Sequence, residues 1–348
     1  MKKQKILLTK NIWWPFGSHI YHLMQRSHFA DLHECDKFIY LENTHPAYAT
    51  FNGNIPSYFP NLNTPIPQAV IDSIKSTQDI DPEHNRNYII SGEYTEGGTF
   101  KINNYDFYSH NDFFIKFNFS NVKLKDLNID KYKHLFTPSE SINNLLNNIK
   151  FTQQVDALNG NYIAAHVRWT DKITGPSQEG VQYAPDLYLG YINNLCKRFN
   201  TTNLVLNCDN IDAVLAFQEA NKKYNLNIIY DKDEILPENK WENSLFQRWA
   251  LKGTYLKDNP STDLELENDM INGFKIFRTF MNCRAMVGCT SSGMYKSPFI
   301  IRNNENDIDL DCLDETFDQR QNRFIFRNPK TVNGEIRKKG REEIEERK

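Results

Sequence analysis

The chain has 348 residues, 39% hydrophobic and 24% charged, which is the composition of an ordinary globular protein long enough for two domains. A formal net charge of -3 and an isoelectric point near 6.3 argue against a nucleic-acid-binding protein, for which a basic face is typical. No stretch approaches the roughly 18 apolar residues of a membrane span, and the N-terminal apolar run is too short for a signal peptide. The six cysteines are widely separated, without zinc-type spacing, and predict reduced thiols in a cytoplasmic protein.

Three elements are predicted near the start of the chain. KILLT at 5–9 has the apolar character of a strand, a helical pattern follows over 19–34, and KFIYLE at 37–42 predicts a second strand. This β-α-β order is typical of the first half of a doubly wound sheet. Residues 43–130 are rich in Asn, Tyr, Phe and Pro, and they predict short strands and long loops with one helix near 67–76.

The second half of the chain alternates strands with helices. A helix over 137–158, with Ser139 as its N-cap, leads into this part. Apolar runs then predict four strands, at 162–167, 203–209, 227–231 and 285–289. Helical patterns lie between them, at 185–199, 210–224 and 267–283. Such alternation predicts an α/β fold with a parallel sheet. We expect a first domain at 1–150, a Rossmann-like second domain at 151–310, and a tail at 311–348 that packs back on the body.

Polar side chains follow the predicted strands of the second domain at the point where each strand ends. They are Arg168, Trp169, Asp171 and Lys172 after the first strand, Asp209 and Asn210 after the second, Asp231 after the third, and Thr290, Ser291 and Ser292 after the fourth. Because ligands of open parallel sheets bind outside the carboxyl ends of the strands, these residues should converge on one crevice.

The residue types at this edge are those that bind a nucleotide diphosphate. Arg168 offers a fork of donors for two anionic oxygens, and the Thr-Ser-Ser-Gly turn at 290–293 precedes a helix, an arrangement suited to phosphate. Carboxylates such as Asp209 and Asp231 suit ribose hydroxyls or a base edge. His166 fits either a hydrogen-bonded core position or a place beside the ligand, and Ser291 and Ser292 fit either helix caps or phosphate ligands. The dinucleotide fingerprint and the Walker A loop are both absent from the sequence.

A family resemblance rests on these same segments. HVRWTDK at 166–172 resembles the His-Val-Arg-Arg-Thr-Asp-Lys motif of the α1,6-fucosyltransferase family, which includes the core N-glycan and nodulation enzymes. LVLNCDN at 204–210 is similar to that family's strand ending in Thr-Asp-Asp, and MVGCTSSG at 286–293 to its Cys-Thr-Phe-Ser-Ser segment. WPFGSHIYHLMQ at 14–25 looks like its N-terminal Gly-rich turn and helix, and HLFTPSESI at 134–142 like its Phe-x-Pro-Ser stretch. The resemblance covers 130–300 and the short patch at 14–25.

The resemblance implies a fold and an activity. The fold is GT-B-like, with two Rossmann-type domains facing a central cleft and the acceptor bound mostly by the N-terminal domain. The activity is inverting transfer of fucose from GDP-fucose, used as donor substrate without a cofactor or a required metal. The partners implied are the nucleotide sugar and a glycan or glycolipid acceptor. The charge and the lengths of the apolar runs independently predict no nucleic acid and no transmembrane segment, and we expect peripheral association with a membrane at most.

The resemblance also assigns roles by position. Arg168 would bind the β-phosphate and stabilise the departing GDP, and Glu179 would take the proton of the acceptor as catalytic base. The donor pocket would be shaped by His166, Asp171, Lys172 and Tyr188 (or Tyr191 in its place), with Asp209 and Asn210 near the nucleoside, Thr290, Ser291 and Ser292 at the diphosphate, and Gly17 and His19 in the N-terminal cleft.

The sequence departs from the family pattern at three places. Trp169 replaces the second arginine of the motif, Asn210 replaces the second aspartate, and the aspartate of the last helix falls on Ile276, with Asp269 as the nearest candidate. The donor could therefore carry another sugar or nucleotide.

Two other functions remain open. Asp231 and Asp233 follow a strand and could hold a divalent ion in a metal-dependent, GT-A-type transferase. Alternatively, Trp169 and the aromatic-rich region 43–130 would suit sugar stacking in a non-catalytic carbohydrate-binding protein.

Overall fold

The computed structural model describes residues 3–10, 16–41, 59–62, 67–77, 79–80, 86–109, 122–169, 182–232, 262–313 and 315–323. The chain divides into two compact units, with the main division between Ile142 and Asn143 rather than at 150. Pro15–Ser18 belongs to the second unit, although the residues on both sides of it belong to the first. The fold is α/β, as the sequence predicts.

The first unit contains a mixed four-stranded sheet in the order β2-β1-β3-β4. Strand β1 (Lys3–Lys10) is followed by helix α1 (Phe16–Leu32) and by β2 (Lys37–Leu41), which pairs with β1 in parallel, so the predicted β-α-β opening is confirmed. β3 (Arg86–Tyr94) and β4 (Phe100–Ser109) form an antiparallel hairpin of nine- and ten-residue strands. The prediction of only short strands over 43–130 is therefore wrong.

Helix α2 covers one face of this sheet, and two further helices continue the chain toward the second unit. Helix α2 (Gln68–Ser76) packs Val70 and Ile74 against Ile6 of β1, which confirms the helix predicted near 67–76. Helices α3 (Ile129–Leu135) and α4 (Glu140–Asn147) follow. Ser139 caps α4 by accepting a hydrogen bond from the Ile142 backbone N–H at 3.3 Å.

The helix predicted over 137–158 is two helices. α4 ends at Asn147, and α5 (Lys150–Asp156) begins two residues later, after Asn148 and Ile149. The side chain of Asn148 donates to the carbonyl of Asn144, and Gln153 donates to the carbonyl of Asn147. Side-chain bonds thus satisfy carbonyls at the end of α4 that a continuous helix would use itself.

The second unit contains a five-stranded parallel sheet in the order β7-β6-β5-β8-β9. Its strands are β5 (Ile163–Val167), β6 (Asn203–Cys208), β7 (Asn227–Ile229), β8 (Ala285–Gly288) and β9 (Ile308–Asp309). Its helices are α6 (Pro185–Phe199), α7 (Ile211–Asn221), α8 (Thr262–Asn282), α9 (Gly293–Arg302) and α10 (Phe317–Gln321). The predicted parallel sheet is confirmed.

Helices cover both faces of the parallel sheet. Side chains alternate along β5, so Ala165 packs in the core beside α6 and α7, whereas Ala164 packs in the core beside α5, α8 and α9. β5 is buried over its whole length, which is why it reads as a continuous apolar run. This three-layer arrangement is compatible with a Rossmann-like fold.

The order of the strands places a switch point between β5 and β8. From β5 the chain adds β6 and then β7 on one side, and it later returns to add β8 and β9 on the other side. In open α/β sheets the crevice for ligands lies at the carboxyl ends of the strands where this direction reverses. The strand ends at Val167 and Gly288 are therefore the place to look for a functional site.

Of the predicted tail at 311–348, the structure describes residues up to 323, with 324–348 outside the described part, and the described residues pack within the second unit. The guanidinium of Arg320 donates to the carbonyl of Asp307 at 2.7 Å and lies over the ring of Phe299. Arg302 forms an ion pair with Asp307 at 3.0 Å and donates to carbonyls at the end of α8.

Among the helices that the structure describes, none combines the length and apolar character needed to cross a bilayer.

Candidate functional site

His166, near the end of β5, contacts Ser292 at the start of α9. The imidazole Nε2 lies 2.8 Å from the Ser292 hydroxyl oxygen, and both residues are buried. Nδ1 of His166 is buried without a hydrogen-bond partner in the part of the chain that the structure describes. Burial, with a smaller contribution from the charge of Arg168, lowers the pKa of His166 to about 3. The imidazole is therefore neutral at physiological pH, and it can donate or accept a hydrogen bond but adds no positive charge.

Arg168 stands immediately after β5, at the switch point. Its side chain is half-buried, and its charge acts on the His166 ring two residues before it. It is the cation that the sequence places at this strand end, and its charge contributes to lowering the pKa of His166. A guanidinium in this position offers two parallel N–H donors to an anion.

Trp169 and Asn210, which the sequence also placed at this edge, stabilise the ends of β5 and β6. The backbone N–H of Trp169 donates to the Asp209 carboxylate at 2.9 Å, which joins the ends of β5 and β6. The Trp169 ring is only 8% exposed and belongs to the core beside α6 and α7. Asn210 is completely buried and caps α7 by accepting from the Ala213 N–H at 2.8 Å. Trp169 and Asn210 thus have structural positions, and the surface for sugar stacking expected at Trp169 is not there.

Tyr188 supports the end of β5 from the helix side. Its hydroxyl donates to the backbone carbonyl of His166 at 3.3 Å and lies 3.6 Å from the Cys289 sulfur. The side chain is buried, and burial raises its pKa well above the ordinary value. Tyr188 therefore positions His166 from α6, and Tyr191, three residues on, packs against the same core only partly buried.

The turn after β8 is held by two carboxylates that sequence reasoning did not identify. Thr290 donates to Asp309 through its N–H at 3.0 Å and through its hydroxyl at 2.6 Å. The Ser291 N–H donates to Asp311 at 2.9 Å. These donors were expected to bind phosphate, and the structure instead directs them to carboxylates. No sequence signal pairs residues 19 and 20 positions apart across a helix.

Because carboxylates accept the donors of Thr290 and Ser291, the part of this turn that could bind a ligand is the start of α9. Ser292 is the N-cap residue by backbone position, but its side chain makes no capping hydrogen bond because it faces His166. The first N–H groups of α9 therefore lack the usual serine cap. A helix N-terminus in this state attracts anions through its N–H groups and its dipole.

Gly17 brings the N-terminus of a second helix to the same place. A Cβ atom on Gly17 would lie 2.4 Å from the Met294 backbone nitrogen, so the first turns of α1 and α9 meet backbone to backbone. The Ser297 hydroxyl donates to the Gly17 carbonyl at 2.7 Å, and the Phe16 ring packs against Phe274 of α8 at 4.7 Å. Only glycine permits this approach. Gly17, predicted as a site residue, therefore lies at the α9 N-terminus within the second unit.

A small cavity lies under the ends of β6 and β7. It encloses about 30 Å³, enough for a water molecule or a small polar group, and its lining residues are Phe151, Leu206, Asn207, Cys208, Asp231, Asn272, Lys275 and Ile276. Asn207 is the strand partner of His166, and its side-chain nitrogen is buried without a described partner. The Lys275 ammonium lies 2.6 Å from the Asp231 carboxylate. Asn207 and Lys275 are further polar residues of this edge that the sequence patterns did not single out.

Several predicted site residues lie outside the described part of the chain. They are Asp171, Lys172 and Glu179, together with Asp233; for His19 and Asp269 the helical backbone is described but the side chain is not. The structure thus brings together Arg168, His166, Ser292 and Gly17 at one strand edge, with Asp209 on the neighbouring strand.

A Ser–His contact at the start of a helix raises the question of a hydrolase. In such enzymes a carboxylate orients the imidazole through the second ring nitrogen, and the histidine works as a base near neutral pH. Nδ1 of His166 has no such partner among the described residues, and its pKa near 3 makes it a poor base. The pair is better suited to hydrogen bonding than to nucleophilic catalysis.

Comparison with known proteins adds no family to this description. No protein-family model matches the chain, and no curated protein matches its sequence, so the geometry of the switch point stands as the basis for a functional conclusion.

Proposed function

We propose that this protein is an inverting, metal-independent glycosyltransferase of the GT-B type, which transfers fucose from GDP-fucose to a hydroxyl of a glycan or glycolipid. The observation that carries the proposal is the convergence of Arg168 and the α1 and α9 N-termini at the switch point of the parallel sheet. Each feature favours an anion, and a diphosphate is the anion of matching size and charge. The facing of two Rossmann-type domains across a cleft is part of this proposal.

The positive charge at the carboxyl edge of the parallel sheet favours a diphosphate as the ligand over a carboxylate or a cation. A helix N-terminus carries roughly half a positive charge, so two of them with one guanidinium provide close to the two charges of a sugar nucleotide. His166 is neutral and Ser292 is uncharged, so both can complete the hydrogen bonding without changing this balance. Of the two carboxylates behind the turn, Asp309 is paired with the Arg323 guanidinium at 2.6 Å, and Asp311 accepts from the Ser291 N–H.

The nucleoside would extend from the diphosphate toward β6 and β7. Asp209 and the cavity between Asn207 and Lys275 lie on that side of Arg168. The buried nitrogen of Asn207 and the ion pair of Lys275 with Asp231 line this water-sized cavity, so a water molecule there would link them to a base or ribose oxygen.

The chemistry would be a single displacement at the anomeric carbon. The acceptor oxygen forms the new glycosidic bond, the bond from that carbon to the β-phosphate oxygen breaks, and the electron pair leaves with GDP. Arg168 and the two helix N-termini stabilise the charge that develops on the leaving diphosphate. The acceptor proton passes to a carboxylate base, for which Glu179 is the proposed residue.

Glu179→Gln is expected to lower kcat by about 10²–10⁴-fold and to leave the affinity for GDP-fucose unchanged, because a general base acts on the acceptor and not on the donor. Single-turnover transfer and donor titration on the same preparation would measure the two effects. Equal turnover in the variant and the parent would assign the base to another residue.

A metal-dependent GT-A-type transferase is the competing enzyme. The Asp231 carboxylate that would bind the metal already pairs with the buried Lys275 ammonium, so an added divalent ion would have to displace a cation. We expect transfer to continue unchanged in excess EDTA. Loss of transfer in EDTA with recovery on adding Mg²⁺ or Mn²⁺ would favour the GT-A reading.

A panel of nucleotide sugars tests the donor. GDP-fucose, other GDP-sugars and UDP-sugars would be compared by thermal unfolding and by release of nucleoside diphosphate. A ligand at a hundredfold excess over its Kd stabilises the folded state by about 2.7 kcal/mol. We expect this stabilisation from GDP-fucose with slow hydrolysis of the donor. Binding without hydrolysis or transfer to any acceptor would indicate the carbohydrate-binding alternative, and no binding across the panel would end the proposal.

The proposed localisation limits the acceptors that the enzyme would meet. A cytoplasmic enzyme that associates peripherally with a membrane would meet a lipid-linked or nucleotide-activated glycan at the inner face. Transfer to water-soluble and vesicle-bound acceptors, measured side by side, would distinguish these sources.

A further inference from the structure

Two buried carboxylates lie directly behind the turn at 290–292. Asp309, at the end of β9, is 5% exposed, and Asp311, in the short helical turn at 310–312, is 8% exposed. Between them they accept three hydrogen bonds from the backbone and hydroxyl of the turn, at 2.6–3.0 Å. The next residue of the turn, Ser292, contacts His166, and α9 begins one residue later. One side of this turn is therefore fixed by carboxylates, and the other side forms the proposed anion site.

The surroundings of the two carboxylates are not equivalent. Arg323 pairs with Asp309 at 2.6 Å and also with Glu315 at 2.7 Å. Asp311 accepts from the Tyr183 hydroxyl at 3.2 Å. The titratable and charged groups that act on Asp311 from the elements around it are Asp309, Tyr183, Tyr188, Cys289, Lys296 and Cys312, with Arg323 beyond Asp309.

We infer that Asp311, with Asp309, is a positioning residue for the donor: it holds the 290–292 turn so that Ser292 and the α9 N-terminus face the diphosphate, and it does so best when ionised. The substrate in this inference rests on the proposed function. An ionised carboxylate accepts a hydrogen bond about twice as strong as a neutral acceptor does, so protonation of Asp311 loosens its hold on the Ser291 N–H.

The protonation state of Asp311 changes at a pH not far below neutrality. Burial, followed by the charge of Asp309, raises the pKa of Asp311 to about 6. In the unfolded chain an aspartate titrates near 3.9, so the folded state binds the proton more tightly between these values. The stabilisation from Asp311 is thus fully present below about pH 4 and is lost as the pH rises through about 6. Donor binding should change in the opposite direction, because the ionised form holds the turn.

Asp311→Asn separates these two effects. Asparagine keeps an acceptor oxygen for the Ser291 N–H and removes a buried charge next to Asp309, so the variant should be at least as stable as the parent at neutral pH. Its affinity for GDP-fucose, a donor whose charge is constant over this range, should be about tenfold weaker than that of the parent at pH about 7 and equal to it at pH about 5. Glu219→Gln, which removes one exposed acidic charge of the same unit, is the matched control and should follow the parent.

Hydrogen exchange provides a measurement that needs no ligand. The Ser291 amide should exchange about tenfold faster in Asp311→Asn than in Glu219→Gln at pH about 7, and equally fast at pH about 5. Tyr183→Phe removes one hydrogen bond to the ionised carboxylate, so in this variant the midpoint of the change should move to higher pH.

The outcomes distinguish this inference from the proposed function. Equal exchange in Asp311→Asn and Glu219→Gln at every pH, or GDP-fucose binding with the affinity and pH profile of the parent, would overturn the positioning role even in an active transferase. If the parent binds no nucleotide sugar, the proposed function fails, and the exchange experiment alone decides whether Asp311 holds the turn.

Discussion

Replacing Arg168 by alanine is expected to reduce sugar transfer by about 10³-fold while the protein stays folded. The side chain follows the end of a buried strand and is half-exposed, so its removal leaves no cavity in the core. Its guanidinium is the positive charge that directly follows β5, and in the proposed reaction it stabilises the leaving diphosphate. A thousandfold loss corresponds to about 4 kcal/mol of transition-state stabilisation, the upper end of what removal of one preorganised hydrogen-bond donor costs. Steady-state kinetics and circular dichroism on the same samples would measure both parts.

Arg198→Ala is the matched control for this variant. Arg198 lies on α6 of the same unit, its side chain is 60% exposed, and it forms a surface ion pair with Glu305 at 3.7 Å. Surface pairs of this kind contribute about 0–1 kcal/mol, so both activity and stability should stay close to those of the parent. Arg168→Lys should recover only part of the activity, because an ammonium lacks the two parallel donors. Near-parental turnover in Arg168→Ala would remove the basis for the proposed phosphate site.

Gly17→Ala is expected to lower both the stability of the second unit and the affinity for the donor. The added Cβ would lie 2.4–2.6 Å from backbone atoms of Gly293 and Met294, which cannot rotate away as a side chain could. Forcing these helices apart should cost about 3 kcal/mol and separate the two N-termini that favour the anion. Thermal unfolding with and without GDP-fucose would measure both effects.

Gly190→Ala tests whether the loss at Gly17 comes from the close approach. Gly190 lies within α6, and a Cβ there would meet only the Tyr224 hydroxyl at 4.0 Å, an ordinary contact. This substitution should therefore stabilise the protein by about 0.5–1 kcal/mol, since alanine favours a helix more than glycine does. A Gly17→Ala protein as stable as the Gly190→Ala protein would mean that α1 and α9 do not meet at this glycine.

The second unit could be predicted well because its local and tertiary signals agree. Helix α6 has Pro185 in its first turn and ends at Asn200 in the left-handed conformation, so its predicted bounds of 185–199 match the structure. β5 and the middle of β6 are largely apolar because helices cover both faces of these strands. The convergence of Arg168 with the start of α9 then follows from the parallel topology alone.

The first unit could be predicted less well because its hairpin lacks a regular pattern. β4 reads FKINNYDFYS, in which exposed Lys101, Asn103 and Asp106 interrupt the aromatic residues, and a register shift at Ser91 and Gly92 breaks the alternation of β3 with it. A period-2 pattern cannot survive such a shift. The same limit applies to the turn after β8: its hydroxyls looked like phosphate ligands until the tertiary fold placed Asp309 and Asp311 behind them.

The strand order affects how the nascent chain folds during its synthesis on the ribosome. β5 is the central strand, and its neighbour on one side, β8, comes more than a hundred residues later in the chain. At a synthesis rate of about 5–20 residues per second, about 5–25 s pass between the synthesis of β5 and that of β8. During this interval the nascent chain exposes the unpaired backbone N–H and C=O groups along one edge of a largely apolar strand, which is a surface for chaperone capture or for misassembly with another nascent copy.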